Sequence, residues 1–225
     1  NGLGSPPKEI VERAHAKGIK VAALAGKAKH AVRHKQAGCD FVVAVGTEAA
    51  GHTGNITSMV LWPQIVDAVA PLPVIGAGGV GRGRQLAAAL ALGCEGVLCG
   101  SIWLKTVQSE VIPEIKEKLF AAESDQAVLT KAVSGKQIRA LRSKYIDAWN
   151  EPGAPKLLPA PLQLYLTLGN GMWGRGKTRL AKDLLTYPVG QIVGDMKQET
   201  SVKQVFYDML TELLESKERF DRIMS

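Results

Sequence analysis

Residues 40–54 read DFVVAVGTEAAGHTG. The first eight, Asp40–Thr47, form a nearly unbroken apolar run, the composition of a strand covered on both faces. A glutamate, small residues, a histidine and two glycines follow, which is the chemistry a loop presents to a ligand. A buried strand that delivers polar groups at its C-terminal end is the building unit of a parallel α/β fold.

Three further runs repeat the pattern: Ile19–Gly26 (IKVAALAG), Leu72–Gly79 (LPVIGAGG) and Glu95–Ser101 (EGVLCGS). Helical stretches separate them. Pro7–Lys17 has Ser5 as its expected cap, proline in its first turn and Gly18 as its stop. Lys27–Gln36, Leu61–Val69 and Arg84–Leu92 follow, the last closed by Gly93. The strand starts at 19, 40, 72 and 95 leave room for βα units. Two of these units echo each other, GCDFVVAVGTEA and GCEGVLCGSIW. The expected architecture is α/β with a parallel sheet, either doubly wound or a (β/α)₈ barrel.

The opening NGLGSPP reads as a loop that follows a strand, and four strands of a barrel would leave two unpaired edges. The sequence is therefore expected to be the C-terminal part of a longer chain. After Ser101 the character changes. Residues 105–150 read as helical and charged, and 150–161 (NEPGAPKLLPAP) as a proline-rich connector. A last helix is expected over roughly Val202–Arg222, with Val205, Met209, Leu213 and Ile223 near helical spacing, packing back on the barrel.

Composition narrows the function. With 225 residues, 46% hydrophobic and 22% charged, the chain can bury a sizeable core. No apolar run is long enough to span a bilayer, and no secretory signal pattern opens the sequence. The net charge of +7 is spread along the chain without a stripe of Lys and Arg among aromatics, which argues against a nucleic-acid partner. Cys39, Cys94 and Cys99 form neither a C-x-x-C pair nor an even set, so a disulfide framework and a zinc site are not expected. A reducing cytoplasm fits.

Three glycine-rich signals compete for a phosphate. GMWGRGKT (171–178) satisfies the P-loop pattern, but only 47 residues follow it, too few for the rest of a P-loop sheet. It reads as a basic surface loop. Gly76-Ala-Gly78-Gly79-Val-Gly81 resembles a dinucleotide fingerprint, yet the acidic residue at the required distance, Glu95, begins its strand instead of ending it. The third signal pairs GAGGVGRGR after one strand with LCGS after the next. In barrels the loops after strands seven and eight build a phosphate site from backbone N–H groups. Gly78, Gly79, Gly100 and Ser101 suit that role.

His52 falls in a loop beyond the strand ending near Thr47, where a barrel active site assembles. Imidazole titrates near neutral pH and can take a proton or steady an anion. His15, His30 and His34 lie on helical stretches and read as surface or packing residues. Glu48 either orients His52 or pairs with a surface cation. Cys99 adjoins Gly100, but no nearby base marks it as a nucleophile.

These motifs together, E-A-x-G-H-x-G, A-G-G-[IV] and G-[ST] in this order and spacing, resemble the nitronate monooxygenase (2-nitropropane dioxygenase-like) flavoproteins. The resemblance runs from Asn1 to about Trp149 and returns at VGQIVGD (189–195). It implies the C-terminal half of an FMN-binding (β/α)₈ TIM barrel with a small helical insert, the barrel portion being 1–104 and 190–225 and the insert and connector 105–189. It assigns the FMN phosphate to Gly78, Gly79, Gly100 and Ser101. Gly51 approaches the cofactor, Gln191 lies near the active site, and His52 is base or anion partner. The implied reaction oxidises alkyl nitronates or nitroalkanes with O₂ to a carbonyl compound and nitrite. A homo-oligomer is compatible with this reading. Val45 and Ala50 replace a Gln and a Gly frequent in the family, and Leu24 stands where some members carry Lys. Flavin-dependent enoyl-acyl-carrier reductases share E-A-G-G-H and A-G-G-I and give the alternative enzyme, and an inactive barrel fragment the non-enzymatic one.

Overall fold

The computed structural model describes residues 1–2, 4–169 and 182–225. The GMWGRGKT stretch lies outside the described residues. In chain order the strands are β1 (Ala22–Ala25), β2 (Phe41–Val45), β3 (Gly51–His52), β4 (Val74–Ala77), β5 (Gly96–Leu98), β6 (Ala127–Thr130) and β7 (Ile138–Leu141). The helices are α1 (Lys8–His15), α2 (Ala28–Gln36), α3 (Ser58–Val69), α4 (Gly83–Ala91), α5 (Pro113–Ala121), α6 (Lys144–Ala148), α7 (Leu162–Gly169) and α8 (Val202–Met224). They fold as two compact units. Asn1–Thr47, Gly54–Cys99 and Phe206–Ser225 make the first, Glu48–Thr53 and Gly100–Val205 the second.

The first unit holds a parallel sheet in the order β1-β2-β4-β5. All four expected strands are present, each shorter than its apolar run. The order steps in one direction only, without the reversal that defines a doubly wound sheet. Its core is the apolar face of α3, where Leu61, Ile65 and Val69 are fully buried. Trp62 of the same helix is buried and donates its Nε1–H to the Ala44 carbonyl of β2 at 3.0 Å. Gly76 of β4 makes room for that indole, since a Cβ there would stand 3.1 Å from the ring.

One helix end corrects the sequence reading. Ser5 does not cap α1, which starts after Pro7 without a side-chain cap. The Ser5 hydroxyl instead lies 2.9 Å from Nδ1 of His34, whose Nε2 is 3.0 Å from the Leu24 carbonyl. His34 is buried, so both ring nitrogens need partners, and satisfying them takes precedence over an exposed cap. At the other end of the unit, α8 packs back as expected. Gly83 opens α4 where a Cβ would meet the Met209 carbonyl, and Glu212 of α8 accepts the Gly83 N–H at 2.9 Å.

The second unit departs further from expectation. Its 105–150 stretch is not simply helical, because β6 and β7 form an antiparallel hairpin joined by β3 in the order β3-β7-β6. Each hairpin strand is four residues long, too short for a two-residue period to stand out, and pairing rather than propensity decides it. Behind the hairpin Val133, Ile138, Ala140 and Ile146 form a buried cluster with Val128 and Tyr145 against it. Polar helix residues complete this core. Gln163 and Thr167 of α7 are fully buried and donate to the carbonyls of Ala132 (2.7 Å) and Val133 (2.9 Å), closing off backbone acceptors that the 131–137 turn leaves unpaired. Among the described residues no helix is long and apolar enough to cross a membrane.

Candidate active site

His52 does not sit in a free loop, as its position beyond the expected strand suggests. It pairs opposite Ile138, with Gly51 opposite Arg139, as the short strand β3. The Gln137 side chain reaches the Thr53 carbonyl at 3.5 Å and continues the contact by one residue. The segment carrying the histidine is therefore fixed by a hairpin more than 80 residues downstream. Gly51 has φ +72°, a left-handed conformation that disfavours side chains, and a Cβ there would point into open space.

The imidazole of His52 lies with Nε2 2.9 Å from Oγ of Ser134. That hydroxyl donates its single proton to the Lys136 carbonyl at 3.1 Å. A hydroxyl has one proton, and the direction of the Nε2–Ser134 bond follows the imidazole tautomer. When that proton goes to the Lys136 carbonyl, Nε2–H donates to Ser134 and the lone pair lies on Nδ1. Although solvent reaches the ring, the protein behind it desolvates it in part, and the cationic Lys136 adds to the effect. Both lower the His52 pKa from its ordinary 6.5, so the neutral, proton-accepting form prevails at neutral pH. Glu48 acts on Arg139: burial lowers the pKa of that guanidinium and the Glu48 carboxylate raises it. Arg139 is a buried cation, not the surface cation that the sequence suggested as a partner for Glu48.

Ser101 and Gln191 meet on the same segment. The Ser101 hydroxyl is almost buried and accepts the Gly190 N–H at 2.8 Å, and the Gln191 N–H donates to the Glu48 carbonyl at 3.0 Å. Gly190 is required there, because a Cβ would stand 2.6 Å from that carbonyl oxygen and 3.3 Å from the Ser101 hydroxyl. Gly100, just before Ser101, has φ −115°, which any residue adopts, and nothing lies within 4 Å of where its Cβ would be. Among the described residues, neither strain nor packing calls for glycine at 100.

In the first unit Gly78 and Gly79 follow β4 with φ +102° and +70°. Ser58 donates to the Gly78 carbonyl at 3.0 Å, and the Gln85 side-chain oxygen accepts the N–H groups of Gly81 (2.7 Å) and Arg82 (3.0 Å). Glu212 takes the Gly83 N–H, so the later amides of this loop are engaged internally. Cys99 is a thiol at neutral pH, since burial raises its pKa. Among the described residues no group of His, Cys, Asp and Glu is arranged to hold a metal ion.

Sequence reasoning missed Ser134, Lys136 and Gly190. Ser134 and Lys136 flank a glycine in an ordinary-looking turn, and Gly190 has an unremarkable φ. Only the fold gives them meaning.

The family model described as nitronate monooxygenase matches residues 1–212. A Mycobacterium tuberculosis protein named as a monooxygenase is 48% identical over 221 residues, covering 96% of this chain and 59% of that protein. A Staphylococcus aureus protein named as a nitronate monooxygenase is 33% identical over 159 residues, 66% of this chain and 44% of its own length. Among solved structures, FabK from Thermotoga maritima superposes with a TM-score of 0.84 at 31% identity, covering 99% of this chain and 69% of that one. Nitroalkane oxidase from Streptomyces ansochromogenes does so with 0.82 at 27%, covering 97% and 64%. The chain thus spans between about two fifths and two thirds of the length of the proteins it matches.

Proposed function

Because this chain belongs to the nitronate monooxygenase family, we propose that it forms the histidine-bearing part of an FMN-dependent enzyme that oxidises nitroalkanes or their nitronates with O₂, giving a carbonyl compound and nitrite. The observation that carries this reading is the setting of His52: its pKa is lowered, which favours the neutral imidazole, and Ser134 holds it with Oγ 2.9 Å from Nε2; the reading takes the tautomer with Nε2–H donated to Ser134 and the lone pair on Nδ1. Deprotonating the carbon beside a nitro group needs such a base, because the charge released spreads onto the nitro oxygens and only the proton has to be received.

The residues present fit FMN. Gly51 and Gly100 leave open the space that a Cβ would fill, and Gly78 and Gly79 hold left-handed backbone in the loop after β4. In the first unit we assign the phosphate to the backbone of Gly78 and Gly79; in the second unit Gly51 and Gly100 are the candidates for cofactor approach. Because the N–H groups of Gly81, Arg82 and Gly83 are occupied by Gln85 and Glu212, the donors from this loop belong to its earlier part, Gly78–Val80. Ser101 contributes by anchoring Gly190, and so Gln191, to the Glu48–His52 segment. The one-directional order of the parallel strands supports a place in a (β/α)₈ barrel.

When bound, FMN supplies the electron acceptor for the nitronate. The chain does the rest of the local work. His52 takes the carbon-bound proton on Nδ1, and the charge-assisted bond from Nε2 to Ser134 steadies the imidazolium that forms. The same imidazolium then faces the nitronate as a counter-charge. Nitrite release from nitroethane or ethylnitronate under air tests the reading, and replacement of His52 by Asn should abolish turnover of nitroethane. A second reading, reduction of an enoyl thioester, draws support from the likeness to FabK. It requires NAD(P)H consumption with an enoyl thioester and no nitrite.

A further inference from the structure

The β6–β7 turn brings a cation to the base as well as a hydroxyl. Ser134, Gly135 and Lys136 form its tip. The Ser134 hydroxyl binds His52 on one side and both the carbonyl (3.1 Å) and the N–H (3.4 Å) of Lys136 on the other. Gly135 holds the turn in a left-handed conformation with a Cβ position 2.6 Å from the Ala160 N and Leu158 O atoms, so the tip is pressed against the connector and cannot swing freely. Residues 137–139 then run antiparallel to 51–53. Lys136 is consequently tied through its backbone to the serine that orients the histidine.

We infer that Lys136 is a specificity-determining residue whose ammonium favours an anionic nitronate over the neutral nitroalkane at His52. This rests on the reaction proposed above. The charged groups on the elements packed around the histidine are Glu48 on its own segment and Lys136 and Arg139 on the hairpin. Lys136 stands two residues before Ile138, the residue paired opposite His52, and its charge bears on that ring, while that of Glu48 bears on Arg139. Lys136 is exposed, so its head group is accessible to an arriving anion. One positive charge does two things here. It disfavours a second positive charge on the imidazole, and it lowers the energy of a negative charge brought to the ring. A neutral nitroalkane gains nothing from the second effect, so the cation separates two substrates of nearly identical shape.

The test compares the full chain with Lys136→Met and Lys136→Arg. KM is measured for ethylnitronate and for nitroethane, and the His52 ring is titrated by NMR. Removing a screened charge beside the site is expected to raise KM for ethylnitronate by roughly tenfold. KM for nitroethane should stay within about twofold, the range of an exposed substitution. The His52 titration should move up toward the ordinary histidine value in Lys136→Met and stay in place in Lys136→Arg. KM values that rise together or remain unchanged, or a titration that does not move, overturn the inference. If the wild type releases no nitrite from either substrate, the proposed reaction falls, and the inference is judged on ethylnitronate binding followed at the His52 ring signals. Weaker binding in Lys136→Met supports it and equal binding overturns it.

Discussion

The Gly78–Gly83 loop and the Glu48–Thr53 segment both carry residues assigned to the site, but they are held differently. In the loop one near neighbour, Gln85, receives two amides, while Ser58 donates to the first carbonyl and Glu212 of α8 takes the Gly83 amide. The histidine segment is fixed by residues far along the chain: Ser134 and Ile138 at the β6–β7 hairpin, and Gln191 near the C-terminus. The Gln85 bonds are local, so the part of the loop they hold follows from its own motif. Distant fixing makes the geometry of the base depend on the correct folding of another element, and it allows that element to tune the base.

The largest expected effect falls on the distant side. His52→Asn should lower turnover of nitroethane by on the order of 10²–10⁴, the contribution of a positioned general base, measured as initial rates of nitrite release. A drop of less than tenfold would remove His52 from the proton transfer.

Next come the two glycines on which each region depends. Gly190→Ala places a Cβ 2.6 Å from the Glu48 carbonyl, and Gly83→Ala places one against the α8 backbone. Each is expected to cost about 1–3 kcal/mol in chemical denaturation, as overpacking does. They should differ in function. Gly190→Ala displaces the segment leading to His52 and is expected to lower kcat at temperatures where the protein remains folded. Gly83→Ala should lower stability with a smaller effect on kcat. Equal effects on kcat would erase the distinction between the regions.

Ser134→Ala removes the hydroxyl that holds the His52 ring at Nε2. Roughly a tenfold fall in kcat is expected, about 1.4 kcal/mol of lost positioning, with KM changed less. The pH dependence sharpens the point. Burial and Lys136 lower the His52 pKa, so the neutral base persists below pH 6.5, and the acid limb of the nitroethane rate should fall below that value. The sign for folding is the same: a histidine whose folded pKa is lowered contributes stability above its unfolded value, and loses it as pH falls toward the folded one. An acid limb at or above 6.5 would contradict the described surroundings. The smallest effect belongs to the regular core, where Trp62→Phe gives up one buried hydrogen bond to Ala44 and should cost about 1–2 kcal/mol with activity unchanged.

This contrast also explains what could be read from the sequence. The four parallel strands and the helices between them were legible because β-branched runs and helical spacing are local signals, and the glycines after β4 announce their own turn. The hairpin was not. Its strands Ala127–Thr130 and Ile138–Leu141 are short, flanked by lysines, and stabilised by a cluster that includes Ile146 and by α7. His52 was legible as a candidate from its motif, but its partner was not, because no pattern in the sequence links residue 52 to residue 134. Ser5 illustrates the converse error: its position before a helix suggests a cap, while a buried His34 nearby in space claims the hydroxyl.

The most direct test of the account is nitrite release from nitroethane by the flavin-loaded protein under air, followed across pH 5–8 for the wild type and His52→Asn. The account predicts nitrite from the wild type with an acid limb below 6.5, and none above background from His52→Asn. Equal nitrite from both proteins, or none from the wild type alongside NAD(P)H consumption with an enoyl thioester, would contradict it.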